Sequence, residues 1–278
     1  MTAEFFKYEA LGNDYVVIDT TRSSLAADGE VARRVSDRRR GVGADGVMFG
    51  PLDAEGRPGL RVFNADGSEC PGSGNGLRIF AHFLRERGHV GQDRFSLRTV
   101  SGTVEVRVLD LARGLVEASL GPAAVRPVQP LPVGDRTFDV SLVTVGSPHC
   151  VVVVPQATRD LAERWGPLIG GHPRFPDRVN VEFVTVLDRC ALAAEVWERA
   201  AGYTPASGAG ACAAALAAHR LGHVDSEIDV RMPGGRLEVT IGAAGDVALR
   251  GGVRRIVEGV FSDAFRQDLA EVAVPGGL

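Results

Sequence analysis

Two serines sit at the mouths of matched glycine-rich turns, and the chemistry open to a hydroxyl there sets what to look for. Ser73 lies in Cys70-Pro71-Gly72-Ser73-Gly74-Asn75-Gly76-Leu77-Arg78, and Ser207 lies in Pro205-Ala206-Ser207-Gly208-Ala209-Gly210-Ala211-Cys212. Both stretches read Ser-Gly-x-Gly and run into an apolar segment of helical character. Glycines let backbone N–H groups approach a ligand closely. A helix that starts at such a turn presents unpaired N–H groups and a partial positive charge, which suits a carboxylate or phosphate. A serine just before a helix is first of all an N-cap. As a pair on opposite faces of one carbon, two serines would suit proton removal and return, but a hydroxyl is a poor base until a neighbour activates it. His149, in Gly146-Ser147-Pro148-His149, is the candidate for that neighbour. The first stretch reads G-x-G-x-G, not G-x-G-x-x-G, and lacks a G-K-[ST] ending, so a nucleotide loop is not expected.

The elements that must position these groups come in duplicate. The serines stand 134 residues apart (207 minus 73), about half the chain. The same offset lays Arg61-Val62-Phe63-Asn64 on Glu195-Val196-Trp197-Glu198. Each half therefore reads strand, polar residue, loop, Ser-Gly-x-Gly, helix, the pattern of a duplicated domain. Alternating segments at Glu4 to Tyr8, Tyr15 to Asp19, Leu60 to Phe63, Val181 to Leu187 and Ala191 to Trp197 predict strands. Helices are predicted over Glu30 to Arg39 and Thr158 to Trp165, and after each glycine-rich turn. Four prolines between Gly121 and Pro132 predict a linker. The expected domains are 1–121, joined by a closing segment at about 262–278, and 122–261. Two homologous halves would meet around one small anionic ligand.

Composition bounds the partners. The chain has 278 residues, 45% of them hydrophobic and 24% charged, with a net charge of −4. That is a globular balance with no bias toward nucleic acid or an acidic membrane surface. There is no long apolar span and no basic-then-apolar leader, so a cytoplasmic protein without membrane contact is expected. Cys70, Cys150, Cys190 and Cys212 show no metal-ligand spacing, and neither metal nor cofactor is expected.

Seven motifs follow in order along the chain: Leu11-Gly12-Asn13-Asp14-Tyr15, Gly41-Val42-Gly43-Ala44-Asp45-Gly46, Asn64-Ala65-Asp66-Gly67-Ser68-Glu69, Gly74-Asn75-Gly76-Leu77-Arg78, Pro148-His149-Cys150, Asn180-Val181-Glu182-Phe183-Val184 and Glu198-Arg199. Together they resemble the diaminopimelate epimerase family of pyridoxal-independent amino-acid epimerases. The resemblance implies an α/β (α+β) fold of two pseudo-symmetric domains, each a mostly antiparallel sheet around a central helix. It implies two bases on opposite faces of an α-carbon, with the substrate carboxylate on the two helix N-termini. By resemblance, Ser73 and Ser207 stand at the base positions and His149 beside them. Glu198 would bind an amino group and support the reacting pair. Asn13, Asn64, Ser147, Asn180 and Arg199 would clamp a small amino-acid substrate, and Gly74, Asn75, Gly208 and Ala209 would offer N–H groups. A homodimer is left open. The family has cysteine at both serine positions, asparagine at Ser147, glutamate at Tyr203 and threonine at Ala209. A thiolate is far more accessible than an alkoxide. Four readings therefore stand: an active epimerase, an inactive or trapped serine variant, a non-catalytic amino-acid-binding homologue, and a lyase or dehydratase relative.

Overall fold

Period-two alternation of buried and accessible residues builds most of this chain into strands, seen in a computed structural model. The structure describes residues 4–54, 56–70 and 72–272. Pro71 of the first glycine-rich stretch and residues 273–278 of the expected closing segment lie outside them.

The chain divides into two units, residues 1–117 with 252–278, and residues 118–251. The first unit runs β1 (Glu4–Ala10), β2 (Asn13–Asp19), α1 (Gly29–Ser36), β3 (Gly46–Ala54), β4 (Arg57–Asn64), β5 (Glu69–Cys70), α2 (Gly74–Glu86), β6 (Arg94–Thr99) and β7 (Gly102–Asp110). The chain passes along β8 (Leu115–Pro122) into the second unit. There it runs β9 (Ala124–Val125), β10 (Gln129–Val133), β11 (Arg136–Val145), β12 (Ser147–Val153), α3 (Arg159–Gly170), β13 (Asn180–Asp188), β14 (Ala191–Glu198) and β15 (Gly202–Thr204). It continues through α4 (Gly208–Arg220), β16 (Glu227–Met232), β17 (Gly235–Ile241) and β18 (Asp246–Gly252). Then β19 (Arg254–Val260) and α5 (Asp263–Val272) return to the first unit, where β19 pairs antiparallel with β1. The return thus begins about ten residues earlier than the closing segment expected at about 262–278, because β19 pairs with β1 of the first unit.

Each unit wraps a mostly antiparallel sheet around one helix. In the first, α2 packs on β1, β2, β3 and β7, and Ile79, Phe80, Phe83 and Leu84 are wholly buried. The opposite face of β2, β3 and β4 is covered by α1 and α5 through Val16, Val47, Phe49, Val31, Val35 and Leu269. In the second, α4 is buried on nearly all sides, from Ala211 to Ala218, and packs on β11, β12, β13, β14, β16 and β17. A helix apolar all round belongs inside a core. Here α3 covers the outer face, with Trp165 and Ile169 against Cys150, Val181 and Phe183.

The repeat extends to strand register. Parallel β2 and β3 pair Tyr15 with Gly46, and parallel β12 and β13 pair His149 with Asn180. Antiparallel β3 and β4 pair Val47 with Phe63, and β13 and β14 pair Val181 with Trp197. Every one of these positions differs by the offset of the two serines. The proline-rich segment is not a linker. Its Gln129–Val133 is a strand paired antiparallel with β11, with Leu131 and Val133 buried and Pro130 and Pro132 exposed. Alternate prolines are tolerated in a strand whose other side needs no ladder. Helix α3 runs to Gly170 rather than stopping near Trp165, with Thr158 as its N-cap. Among the described residues, no helix is long and apolar enough to cross a membrane.

Candidate active site

Both serines are helix caps. Ser73 (φ −141°, ψ 121°) accepts the Gly76 N–H at 3.1 Å, and Ser207 (φ −137°, ψ 124°) accepts the Gly210 N–H at 3.2 Å. The first N–H groups of each helix, at Gly74 and Asn75 and at Gly208 and Ala209, have no acceptor within the helix by construction, which makes each mouth an anion cradle.

In the first unit, the mouth of α2 is held by asparagines. Asn75 is 4% exposed; its Oδ1 accepts from Arg78 Nη2 at 2.8 Å, and its Nδ2 donates to Asn13 Oδ1 at 3.5 Å. Asn13 in turn donates to Asp45 at 2.8 Å. Arg38 bridges Asp45 and Asp14 at 2.8 Å each, and Lys7 meets Asp14 at 2.8 Å. Burial raises the Asp14 carboxyl, but the hydrogen bonds from Arg38 and Lys7 prevail and bring it down to about 2. This charged network, absent from the sequence expectations, fixes the β1–β2 turn that carries Asn13. Asn64 is engaged in its own turn, donating to Ser68 Oγ at 3.0 Å.

In the second unit, strand parity separates two faces. Cys150, Val181 and Trp197 point to the α3 side. Their sequence neighbours Ser147, His149, Asn180, Glu182 and Glu198 share the other face, toward α4. His149 Nε2 lies 2.9 Å from Ser147 Oγ, and His149 Nδ1 lies 2.7 Å from Glu182 Oε1. Asn180 Nδ2 donates to Ser147 Oγ at 3.2 Å and to Pro148 O at 3.3 Å, while its Oδ1 accepts the Arg199 N–H at 3.0 Å. His149 is 1% exposed and Glu182 is fully buried. Burial raises the Glu182 carboxyl, with the charge and hydrogen bond of His149 acting against it. Its Oε2 is buried with no hydrogen-bond partner among the described residues.

Ser207 joins this face beside Glu198, close enough for its hydroxyl to lower that carboxyl. Glu198 is nevertheless raised, because burial outweighs the neighbouring Ser207 hydroxyl; the charge of Glu182 raises it further and that of His149 opposes. Glu198 and Arg199 line an open pocket of about 390 Å³ together with Gly170, Arg178 and Trp197. The Arg199 guanidinium is exposed there and donates to Asp177 O at 3.4 Å.

The structure therefore gathers Ser147, His149, Asn180, Glu198 and Ser207 in the second unit, with Gly208 and Ala209 at the same helix mouth. It gathers Asn13, Gly74 and Asn75 at the mouth that Ser73 caps in the first. Of the nearby cysteines, Cys212 is buried inside α4, while Cys70, whose Sγ donates to Gly72 O at 3.3 Å, lines a small cavity together with Gly72, Ser73 and Leu77. Glu182 went unassigned in the sequence. The available signal was one acid in an apolar strand, Asn180-Val181-Glu182-Phe183-Val184, because acids are almost never fully buried unless paired.

The pseudo-symmetric counterparts of His149 and Glu182 are Tyr15 and Met48, both buried. A Cβ built on Gly76 would lie 2.7 Å from Met48 Cε, and one built on Gly210 would lie 3.0 Å from Glu182 Oε1. The two side chains occupy equivalent seats under equivalent helices. The scaffold fills that seat with a thioether in one unit and a carboxylate in the other, so the fold does not require the acid.

Comparison with known proteins bears on the family and the fold. A family model described as diaminopimelate epimerase matches residues 5–125 and 141–256. The chain is 37% identical over 273 residues to a diaminopimelate epimerase 2 from Nostoc sp., covering 93% of this chain and 95% of the relative. It is 39% identical over 272 residues to a diaminopimelate epimerase from Desulforudis audaxviator, covering 92% and 98%. Among solved structures, a hydroxyproline epimerase from Agrobacterium vitis matches with a TM-score of 0.68 at 16% identity, covering 95% of this chain and 94% of that one. A phenazine biosynthesis protein of the PhzF family from Bacillus anthracis matches with a TM-score of 0.70 at 16% identity, covering 94% and 99%. These last two likenesses concern the fold alone. With the family model and relatives of this identity spanning both units, the chain belongs to the diaminopimelate epimerase family.

Proposed function

We propose that the chain is a cofactor-independent amino-acid epimerase that removes and returns the α-proton of diaminopimelate or an amino acid of similar shape, with Ser73 and Ser207 at the two proton-transfer positions. The observation that carries this is the position of Ser207 at the mouth of α4, close enough to act on the Glu198 carboxyl, on the face that also holds the His149–Glu182 pair bonded at 2.7 Å. A serine alone is too weak a base for an α-proton, but one that gives its own proton to a carboxylate as it takes another is a relay. Glu198, raised above the ordinary carboxylate range, is a better proton acceptor than a solvated acid. His149, oriented by Glu182, stands as the second acid–base group.

Without an imine to accept the electron pair, the carbanion must be stabilised through the carboxylate. The N–H groups of Gly74, Asn75, Gly208 and Ala209 suit that task, since the charge that grows on the carboxylate oxygens would meet fixed donors. Asn13, Asn64, Ser147, Asn180 and Arg199 supply polar groups for the remainder of the substrate, and the exposed Arg199 favours an anionic far end.

The test is solvent exchange. Incubation in deuterium oxide with diaminopimelate and a panel of amino acids should place deuterium at the α-carbon, followed by proton NMR. Glu198→Gln should lower the rate at least a hundredfold. The rate should rise with pH through a limb above the ordinary carboxylate range, because the base must be ionised and burial raises it. Absence of exchange with every substrate would sink the reading. One observation favours a second reading, a non-catalytic amino-acid-binding homologue: Ser73 Oγ serves as a cap to Gly76. That reading expects calorimetric binding without exchange and unchanged affinity in Ser73→Ala.

A further inference from the structure

We propose that Ser147, His149 and Glu182 form a nucleophilic relay that gives this protein acyl-transfer activity toward small carboxylic esters, separate from any chemistry at Ser73 or Ser207. The geometry is that of a hydroxyl nucleophile, a base and an orienting acid in series. Ser147 Oγ is 2.9 Å from His149 Nε2, and His149 Nδ1 is 2.7 Å from Glu182 Oε1. Activated serines are recognised by this order of contacts, whatever the fold or chain order.

Three further features point the same way. Ser147 and His149 lie two apart on β12, and Glu182 lies on the parallel neighbour β13, so strand parity holds all three on one face. The base and the acid are buried, at 1% and 0% exposure, while Ser147 is only half-buried and reachable. Tyr15 and Met48 fill the matching seats of the first unit, and Asn13 stands where Ser147 does. The duplicated scaffold therefore folds without the relay, and packing does not account for it.

The step balances within these groups and one water. Ser147 Oγ attacks the ester carbonyl carbon, and the carbonyl π pair moves onto oxygen. The hydroxyl proton passes to His149 Nε2 while Glu182 remains a carboxylate accepting from Nδ1. Collapse of the tetrahedral adduct breaks the bond to the leaving oxygen, which takes the proton from Nε2. Water then attacks the acyl group on Ser147, gives a proton to Nε2, and Oγ recovers it as the acid leaves. His149 is shared with the proposed epimerase, but nothing is asked of Ser73, Ser207 or Glu198. Ester cleavage without α-carbon exchange, or the reverse, would separate the two proposals.

The experiment uses the full chain with p-nitrophenyl acetate and a fluorophosphonate probe, the labelled residue being mapped by mass spectrometry. Ser147 should be phosphonylated at least tenfold faster than in heat-denatured protein, and ester cleavage should show a burst near one equivalent. Ser147→Ala should abolish both. Glu182→Gln should slow labelling at least tenfold with Ser147 still the modified residue. Ser147→Cys, which keeps the fold even where a glutamate variant does not, should react with iodoacetamide near neutral pH at least tenfold faster than the exposed Cys190. Labelling at Ser73 or Ser207 in place of Ser147, labelling no faster than in denatured protein, or a thiol in Ser147→Cys no more reactive than that of Cys190 would each overturn the proposal.

Discussion

Replacing His149 and Glu182 together should cost the fold far less than replacing either alone. The two side chains are buried and bonded at 2.7 Å, so each is the other's main compensation for lost water. In Glu182→Met, the His149 Nδ1 donor loses its acceptor, which costs about 1–3 kcal/mol. In His149→Leu, a buried carboxylate is left without its partner, which costs about 3–5 kcal/mol while it stays ionised. Simple addition gives roughly 4–8 kcal/mol for the double variant. The first unit argues otherwise, because Met48 sits wholly buried in the seat equivalent to Glu182. Leucine is chosen at 149, since a tyrosine like Tyr15 needs Gly46 beside it and Asn180 stands at that place; a Cβ on Gly46 would lie 2.8 Å from the Tyr15 ring. The double variant should therefore unfold within about 1 kcal/mol of the parent, because apolar replacement of a buried pair is commonly neutral or stabilising. The coupling between the sites should be at least ~3 kcal/mol. Urea unfolding of the four proteins at neutral pH measures it, and solvent exchange should be lost in all three variants. The sign with pH is a second check. Burial raises the Glu182 carboxyl in the fold, so its protonated form favours folding. His149→Leu should then be most stable at low pH and lose stability as pH rises through that raised value. A double variant destabilised by the full sum of the singles would refute the claim that the fold does not need the pair.

Two further outcomes test other parts of the site. Ser73→Cys with Ser207→Cys should raise α-carbon exchange at least tenfold, since a thiol reaches its anion where a hydroxyl does not; it should also cost about 1 kcal/mol per helix cap. An exchange rate no higher than in the serine protein would show that proton transfer does not pass through these positions. The Asp14 carboxyl is brought down to about 2 by Arg38 and Lys7 despite partial burial, so its charge favours the fold above its ordinary pKa. That contribution, about 2 kcal/mol, should fade as pH falls from about 4 to about 2. Urea midpoints at pH 6 and pH 3 should differ less for Asp14→Asn than for the parent, and equal differences would count against the network.

What could be read in the sequence was whatever repeats or caps. The offset of Ser73 and Ser207 also relates Asn64 to Glu198, and the structure extends it to Tyr15 and His149, Gly46 and Asn180, and Met48 and Glu182. Local pattern carried the strands and both helix mouths, because alternation and Ser-Gly-x-Gly are properties of neighbours in the chain. The proline-rich stretch misled for the same reason. Pro130 and Pro132 flank Leu131 on a strand, so both face outward, and only the pairing with β11 reveals it. Glu182 was hidden differently. It lies 33 residues from His149, and nothing local distinguishes an acid that will be buried against an imidazole from one at a strand end. The distinction becomes visible only by comparing the two halves. Where one unit has Met48 under a glycine of its central helix, the other has an acid under the equivalent glycine. A duplicated fold thus carries its own control. Seats filled alike in both halves, such as the serine caps, can be explained by folding, whereas seats filled by an apolar group in one half and a paired charge in the other cannot. By that criterion the seat that folding leaves unexplained lies on the α4-facing side of β12, β13 and β14, and on the proposed reading Ser207, at the mouth of α4 in the same unit, draws on that side for proton transfer.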